Sequence, residues 1–344
     1  MRCELKNEND TSSMAEKPKR LGFLIFPGFP MSCLSSAIEP LRAANEISGQ
    51  EAFKWTLISE SGQAINCSAG LPFQPEIALK DVSDVDMLFL LSEPNGRFEN
   101  PSPSNAKLRY LVRHGTHAGA VSGGVFPLAR AGLLTGHVCS VHWCYRTAFE
   151  AEFPEIETTD DVIILDQRCR TAAGAAGAFD LSLHLVESAL GEAVMTEVAC
   201  WFQHPLIRNQ GVRQNTPAFR THNTADRLPS KVSQAVKLFS ENLEFPLTTR
   251  EVANQVGISS RQLERSFKQA TGQSPGEYYR QIRMRAARQL VIHTQNSLAS
   301  IALAVGYANL ASMSRNYIEL FGFSPNQERR DIGQFRINRN IPVP

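Results

Sequence analysis

Two segments of the chain carry the same short pattern: Leu247–Leu263 reads LTTREVANQVGISSRQL and Ser297–Met313 reads SLASIALAVGYANLASM. Three positions recur at a spacing of 49 residues, so that Ala253, Val256 and Gly257 match Ala302, Val305 and Gly306. Each segment predicts a short helix, a tight turn at the glycine and a second helix, because glycine adopts the left-handed conformation at little cost. Such a pair is a helix-turn-helix unit, whose second helix can enter the DNA major groove.

The second helix of each unit supplies the residues that we expect to contact bases. Leu263 and Phe267 are four residues apart and face the core of the first unit, and Met313, Tyr317 and Leu320 do so in the second. Residues near the start of each helix point outward, and arginine and asparagine make bidentate contacts to guanine and adenine. The predicted base contacts come from Ser260, Arg261, Gln262 and Arg265 in the first unit and from Asn309, Ser312 and Arg315 in the second.

One long helix, Pro275–Thr294, is predicted between the two units. It has an apolar face, formed by Tyr279, Ile282, Ala286 and Leu290, and a basic face, formed by Arg280, Arg283, Arg285 and Arg288. A rigid helix would hold both recognition helices about one DNA turn, roughly 34 Å, apart. We expect Lys268 and Arg283 to contact phosphate, or solvent, rather than bases. The alternative is a set of amphipathic helices packed only for stability, and two copies in register argue against it.

This half of the chain resembles the DNA-binding domain of AraC/XylS transcription regulators over about 100 residues. The resemblance is carried by four stretches: Gly257–Lys268, Thr271–Pro275, Ile301–Tyr307 and Phe321–Pro325. It implies sequence-specific binding to double-stranded promoter DNA. The chain departs from the family in the second recognition helix, where Met313 replaces the usual core aromatic. The resemblance therefore implies the fold of this helix but not which bases it reads.

Length and charge indicate two domains in a chain of 344 residues. From Ser230 onward, 15 Lys and Arg face 8 Asp and Glu, a balance of +7, while the rest has 20 against 26, a balance of −6. The basic half suits DNA phosphates. No membrane span and no signal peptide are evident, and seven scattered cysteines favour a reducing cytoplasm. The predicted divisions are a disordered tail (1–20), an α/β domain (21–205), a linker (206–229), the DNA-binding domain (230–332) and a tail (333–344).

The amino-terminal half alternates short apolar runs with helical patterns, which predicts a doubly wound, mostly parallel sheet of the flavodoxin-like type. The predicted strands are Leu21–Phe26, Phe53–Ile58, Asp86–Leu91, Thr116–Val121, His137–Trp143 and Val162–Leu165. The predicted helices are Met31–Asn45, Ala106–His114, one running through Ala131, and Ala178–Leu190.

A sharp turn, Ser122-Gly123-Gly124, joins a predicted strand to a helix. Such an elbow presents its first residue at the carboxyl end of the sheet, where backbone N–H groups favour an anion. His142 lies on a later predicted strand and can approach Ser122. Serine with histidine suggests acyl transfer.

The same region resembles the class I glutamine-amidotransferase-like superfamily, in its PfpI-type branch fused to AraC-type domains, over roughly residues 21–205. The matching stretches are Phe26–Phe29, Ile38–Asn45, Ala120–Leu134 and Val141–Trp143. Catalytic members have a cysteine at the elbow, where this chain has Ser122, and an upstream glutamate, where Met31–Cys33 offers no acid. With no carboxylate evident to orient His142, we expect no enzyme activity.

Without chemistry, the elbow is a candidate effector site. A carboxylate ligand suits Ser122, His142 and the N–H groups of Gly123 and Gly124, and an aromatic wall of Phe29, Phe126 and Trp143 suits a quaternary amine. Relatives in the fused branch sense amino acids and quaternary amines such as glycine betaine or carnitine. Glu39 is a further candidate. Core packing of the aromatic residues, a surface pair of Glu39 with Arg42 and a capping role for Asp180 are the alternatives.

The sequence therefore predicts a cytoplasmic, homodimeric transcription regulator, an activator that contacts RNA polymerase and responds to a small-molecule effector. No cofactor or metal is expected. Two alternatives remain: a constitutive regulator whose α/β domain only dimerises, and a hydrolase fused to a DNA-binding domain.

Overall fold

The computed structural model describes residues 17–166, 168–204, 207–214 and 228–338, with side chains as far as Asp331. Its strands are β1 (Lys19–Ile25), β2 (Phe53–Ser59), β3 (Ile65–Asn66), β4 (Pro72–Phe73), β5 (Ile77–Ala78), β6 (Met87–Ser92), β7 (His117–Ser122), β8 (Cys139–Ser140), β9 (Thr158–Thr159), β10 (Ile163–Leu165) and β11 (Cys169–Ala172).

The helices of the α/β domain are α1 (Met31–Ser48), α2 (Pro101–Arg113), α3 (Val125–Arg130), α4 (Arg146–Glu152), α5 (Ala175–Leu190) and α6 (Glu192–Trp201), with a 3-10 turn at Leu79–Asp81. Those of the carboxyl-terminal domain are α7 (Ser230–Glu241), α8 (Thr249–Gln255), α9 (Ser260–Thr271), α10 (Pro275–His293), α11 (Leu298–Ala304), α12 (Leu310–Phe321) and α13 (Pro325–Asn338).

The central sheet has the order β10-β11-β7-β6-β1-β2-β5. All neighbours pair in parallel except β10 with β11. The inner strands are apolar throughout because helices cover both faces. One core packs α1, α5 and α6 on one face, and a second packs α2, α3 and α4 on the other. The predicted doubly wound sheet is confirmed, and the carboxyl ends of β1, β6 and β7 meet at one edge.

One predicted strand was wrong, and several elements were not predicted. The run His137–Trp143 is not a long strand, because only Cys139–Ser140 pairs, with β9 outside the central sheet, and a turn from His142 to Tyr145 follows. The strand beside β7 is instead Cys169–Ala172, whose short length and lack of a continuous apolar run gave little strand signal. Helix α6 was also missed.

The carboxyl-terminal domain is all helical and is built around α10. The first half of α10 packs on α7, α8 and α9 in one core, and its second half packs on α11 and α12 in another. Ser and Thr caps start the helices, with reciprocal capping boxes at α8, α9 and α10. Gly257 and Gly306 end the first helix of each unit, both with a φ of 72°. The two predicted helix-turn-helix units are present.

The segment Ile207–Gln214 lies within the predicted linker but contacts the α/β domain. Gln214 donates to the carbonyl of Val141 at 2.8 Å and accepts from the backbone N–H of Trp143 at 2.9 Å. The rest of that linker, apart from Leu228 and Pro229, lies outside the described residues, as do most of the amino-terminal tail and the end of the carboxyl-terminal tail. In the described ranges no helix is long and apolar enough to cross a membrane.

Candidate functional site

Ser122 ends β7 in the left-handed region, with a φ of 56°, and is 4% exposed. This conformation costs a non-glycine residue about 1–2 kcal/mol, so the surrounding turn must hold it. A Cβ at Gly123 would lie 2.4 Å from Ser92 O, and one at Gly124 would lie 1.9 Å from Leu90 O. Both glycines are therefore required because β6 passes directly behind the turn.

The backbone N–H groups of this turn are only partly directed outward. The N–H of Gly124 donates to Val121 O at 3.0 Å, which closes the turn on its own strand. Helix α3, which follows, has only 6 residues. The N–H of Gly124 is therefore used within the turn, and the lack of a side chain at this position lets the turn pack against β6.

The Ser122 hydroxyl lies close to the thiol of Cys33, on α1, and to the hydroxyl of Tyr145. Tyr145 is also close to the thiol of Cys144. Burial raises the pKa of Cys33 to about 11 and that of Cys144 to about 12, and it raises the pKa of Tyr145 as well. These groups are neutral near pH 7, so the elbow is lined by uncharged donors and acceptors rather than by a reactive thiolate.

His142 is near this cluster but is oriented away from the role of a base. Its Nδ1 accepts the backbone N–H of Cys144 at 3.3 Å and lies 2.8 Å from the Cys144 Sγ. Burial lowers the pKa of His142, which keeps the imidazole neutral. Because Nδ1 is an acceptor, the proton of the neutral ring lies on Nε2. The remaining nitrogen is then a donor, which can bind a ligand but cannot take a proton from Ser122.

Glu93 is a carboxylate at this edge that the motif-based reading overlooked. It follows β6 directly, is half-buried, and its Cδ lies 3.3 Å from where a Cβ would stand at Gly28, in the turn after β1. Since Ser92 pairs with Ser122 in the sheet, Glu93 is one strand away from the elbow. The sequence contained a signal for Glu93, because an acidic residue directly after a buried strand lies at the edge of the sheet where parallel strands end.

The predicted aromatic wall does not form. Phe29 is 0% exposed and packs edge-on against Phe73, and Phe126 is 1% exposed and packs against Phe149, so each belongs to a core. Trp143 is half-buried beside His142, with ring centroids 5.5 Å apart.

Two acids weighed in the sequence lie away from the elbow. Glu39 is ion-paired with Arg42 at 2.9 Å on the outer side of α1. Asp180 is fully buried and accepts from His204 Nε2 at 2.8 Å and from Arg208 Nε at 2.6 Å. It therefore anchors the chain after α6 to α5 rather than capping a helix or contacting a ligand.

Helix α9 presents the predicted base contacts of the first unit. Arg261 and Arg265 are exposed, and within the described part of the chain neither forms an ion pair. Ser260 follows the N-cap, Ser259. The side chain of Gln262 closes the capping box, with its Oε1 3.0 Å from the Ser259 N, so it is partly committed to the helix start. The two arginines are thus better placed to read bases than Gln262.

Helix α12 has a sparser polar surface. Asn309 caps it by accepting the N–H of Ser312 at 2.9 Å, and Asn316 donates to the Ser312 carbonyl. Arg315 is exposed, as is Ile318, and Met313 is fully buried in the core. Within the described residues, Asn309 uses its side chain in the cap, whereas Ser312 takes part in these bonds only through its backbone N–H and C=O, so the side chains of Ser312 and Arg315 are not used in them.

The basic face predicted for α10 is mostly used inside the domain. Arg283 donates to the carbonyls of Val305 and Gly306, both at 2.7 Å, so the prediction that it contacts phosphate is wrong. Arg288 pairs with the buried Glu328. Arg280 remains exposed in the cleft between the two units, a cavity of about 380 Å³ also lined by Tyr307 and Asn316.

Neither half of the described chain groups three or more His, Cys, Asp or Glu side chains in a way that could hold a metal ion.

Comparison with known proteins gives two family matches: the helix-turn-helix domain model at residues 252–331 and the DJ-1/PfpI family model at residues 19–188. Two regulators from Pseudomonas aeruginosa are similar over nearly the whole chain. The HTH-type transcriptional regulator GbdR is 33% identical, over 94% of this chain and 88% of its own length. The HTH-type transcriptional regulator ArgR is 32% identical, over 92% of this chain and 94% of its own length.

Among solved structures, the α/β domain is similar to an AraC family transcriptional regulator from Pseudomonas putida. The TM-score is 0.50 and the identity 25%, with 54% of this chain and 100% of that chain covered. Both halves thus match what the fold indicates, an amidotransferase-like domain followed by two helix-turn-helix units.

Proposed function

Because this chain belongs to the HTH-type transcriptional regulators of the AraC type with a DJ-1/PfpI domain, we propose that it is an effector-responsive activator that binds its promoter as a homodimer. In this proposal α9 and α12 enter the major groove, and the α/β domain dimerises and binds the effector at the elbow. The observation that carries the DNA-binding part is the pair of capped helices held by one helix, α10, with Arg261, Arg265 and Arg315 exposed.

The effector that suits the elbow is a small amino acid or quaternary amine. Ser122 and the neutral thiols and phenol around it offer hydrogen bonds without charge, and His142 Nε2–H is a donor for a carboxylate. The carboxylate of Glu93 at the same edge suits the cationic group of such a ligand. Trp143 is the aromatic residue nearest to His142 that can contribute a cation–π contact.

Catalysis is not part of the proposal. A serine nucleophile needs a neighbouring base that accepts its proton. The neighbours of the Ser122 hydroxyl are a thiol and a phenol with raised pKa values, and the Nδ1 of His142 is committed to Cys144. A hydrolytic reaction would require these groups to rearrange.

DNA binding is tested by selecting a preferred duplex from a random pool with the full chain and measuring its dissociation constant at several salt concentrations. We expect a preference of at least about 10³-fold over random duplex and a steep loss of affinity with salt. Equal affinity for all duplexes would overturn the proposal.

Effector binding is tested by thermal unfolding of the full chain with amino acids, glycine betaine and carnitine, one compound at a time. A saturable rise in the melting temperature that is lost in Ser122→Ala supports the elbow site. His114→Ala, on the exposed end of α2, is the matched control. No rise with any compound would favour a constitutive regulator whose α/β domain only dimerises.

A further inference from the structure

Tyr145 joins the elbow to the surface of the α/β domain. It ends the turn that begins at His142 and immediately precedes α4, and its hydroxyl lies close to that of Ser122. Its ring lies 5.4 Å from that of His142, measured between centroids. The side chain therefore contacts the candidate effector site with its hydroxyl and leaves one side of its ring available to another element.

That element belongs to the DNA-binding domain. The ring of His293, the last residue of α10, lies 5.1 Å from the Tyr145 ring at an interplanar angle of 84°, an edge-to-face arrangement. Helix α4, which starts at Arg146, packs against α10. Edge-to-face pairs of aromatic rings stabilise a contact beyond the area that they bury.

The position of this contact on α10 gives it influence over both helix-turn-helix units. Near its start, α10 stacks Tyr279 on Phe239 in the first core. Near its end, Leu290 and Val291 lie in the second core, within a turn of His293. A restraint at the end of α10 is therefore a restraint on the element to which both recognition helices are fixed.

We propose that the Tyr145–His293 contact transmits the occupancy of the elbow to the DNA-binding domain, an inference that rests on the effector site proposed above. A ligand that hydrogen-bonds to Ser122 competes with the hydroxyl of Tyr145. The tyrosine ring then leaves His293, and the end of α10 is released from α4. The ligand shifts the docked and released populations only by its difference in affinity for the two.

The test needs neither DNA nor an effector, so its failure is distinguishable from failure of the proposed function. Amide hydrogen exchange is measured by mass spectrometry on the full chain, in peptides covering residues 143–152 and 287–296. The variants are His293→Ala, Tyr145→Ala and Tyr145→Phe, which keeps the ring and loses only the hydroxyl. His114→Ala is the control, because this exposed histidine lies on α2.

We expect His293→Ala to speed exchange in 143–152, and Tyr145→Ala to speed it in 287–296, each by about fivefold, with no effect of His114→Ala. Tyr145→Phe is expected to speed exchange in 287–296 as well, because the ring loses its anchor on Ser122.

Unchanged exchange in His293→Ala would mean that the two domains do not dock in this way. Wild-type exchange in Tyr145→Phe would mean that docking is not linked to the elbow. Either result overturns the inference, and if Tyr145→Ala does not fold, the other two variants decide it.

Discussion

The guanidinium of Arg283 lies 4.2 Å from the centre of the Tyr307 ring and donates to the carbonyls of Val305 and Gly306. These carbonyls belong to the turn of the second helix-turn-helix unit, where the last C=O groups of α11 lack partners inside the helix. Arg283 is on α10, between the two cores. One side chain therefore fixes the turn of the second unit to the helix that carries the first.

Replacing Arg283 by Ala should destabilise the helical domain by about 2–3 kcal/mol, since two charge-assisted hydrogen bonds and a cation–π contact are lost. Calorimetric unfolding of the full chain measures this as a lower midpoint for that domain. Arg280→Ala, one turn earlier and exposed, is the matched control. It should leave the midpoint unchanged and reduce the salt dependence of DNA binding by about one ion. Equal effects of both variants on stability would contradict the structural role of Arg283.

The two turn glycines make a second matched pair. Both have a φ of 72°, so alanine at either position suffers the same backbone strain. At Gly306 a Cβ would also meet Leu243 O and Pro246 Cγ, each at 2.5 Å, whereas at Gly257 the nearest contact is Lys231 Nζ at 3.9 Å.

Gly257→Ala is thus expected to cost about 1 kcal/mol, and Gly306→Ala at least 1–2 kcal/mol more. Urea denaturation followed by circular dichroism at the helix band measures both. Similar midpoints for the two variants would show that the loop Leu243–Pro246 moves aside without cost.

The fold was largely predictable because its signals are periodic and local. Buried parallel strands are continuous apolar runs in the sequence. The two helix-turn-helix units are recognisable from their paired glycines and from the Ser or Asn residues that cap their helices. The strand Cys169–Ala172 was not predictable in the same way. It has only four residues with no continuous apolar run, and its pairing with β7 and β10 makes it a strand.

The candidate site was less predictable because it depends on the direction in which each side chain and each N–H group points, as well as on its position in the chain. The sequence predicted that Ser122 lies at an elbow. It did not predict that the Gly124 N–H donates to Val121 or that His142 Nδ1 accepts from Cys144. Phe29 follows β1 and Phe126 follows the elbow, yet the two side chains pack into opposite cores. Arg283 is a basic residue of the kind that contacts phosphate. It has a structural role because the end of α11 lies close enough for Arg283 to donate to the carbonyls of Val305 and Gly306.

Base reading by the first unit predicts a loss of specificity when Arg261 is removed. Arg261→Ala should weaken binding to the selected duplex by about 5–150-fold, the equivalent of 1–3 kcal/mol, with the melting temperature unchanged. Competition gel shifts against duplexes altered at single positions measure the effect. Arg250→Ala, near the start of α8 and outside the recognition helix, is the matched control and should weaken all duplexes alike or not at all. Unchanged affinity of Arg261→Ala for the selected duplex would remove Arg261 from the interface.

Acid should destabilise the α/β domain through His142. Burial lowers the pKa of His142 in the folded state below its ordinary value of about 6.5, so below that pH the unfolded chain binds a proton that the folded chain does not. The stability that the neutral imidazole contributes is therefore complete above about pH 6.5 and declines as the pH falls towards the lowered pKa.

His142→Gln removes this proton uptake and keeps a polar side chain. The wild type should lose more stability than His142→Gln between about pH 7 and pH 5, as measured by calorimetry, while His114→Ala follows the wild type. Parallel curves for the wild type and His142→Gln would mean that His142 titrates alike in the folded and unfolded states, and that burial does not lower its pKa.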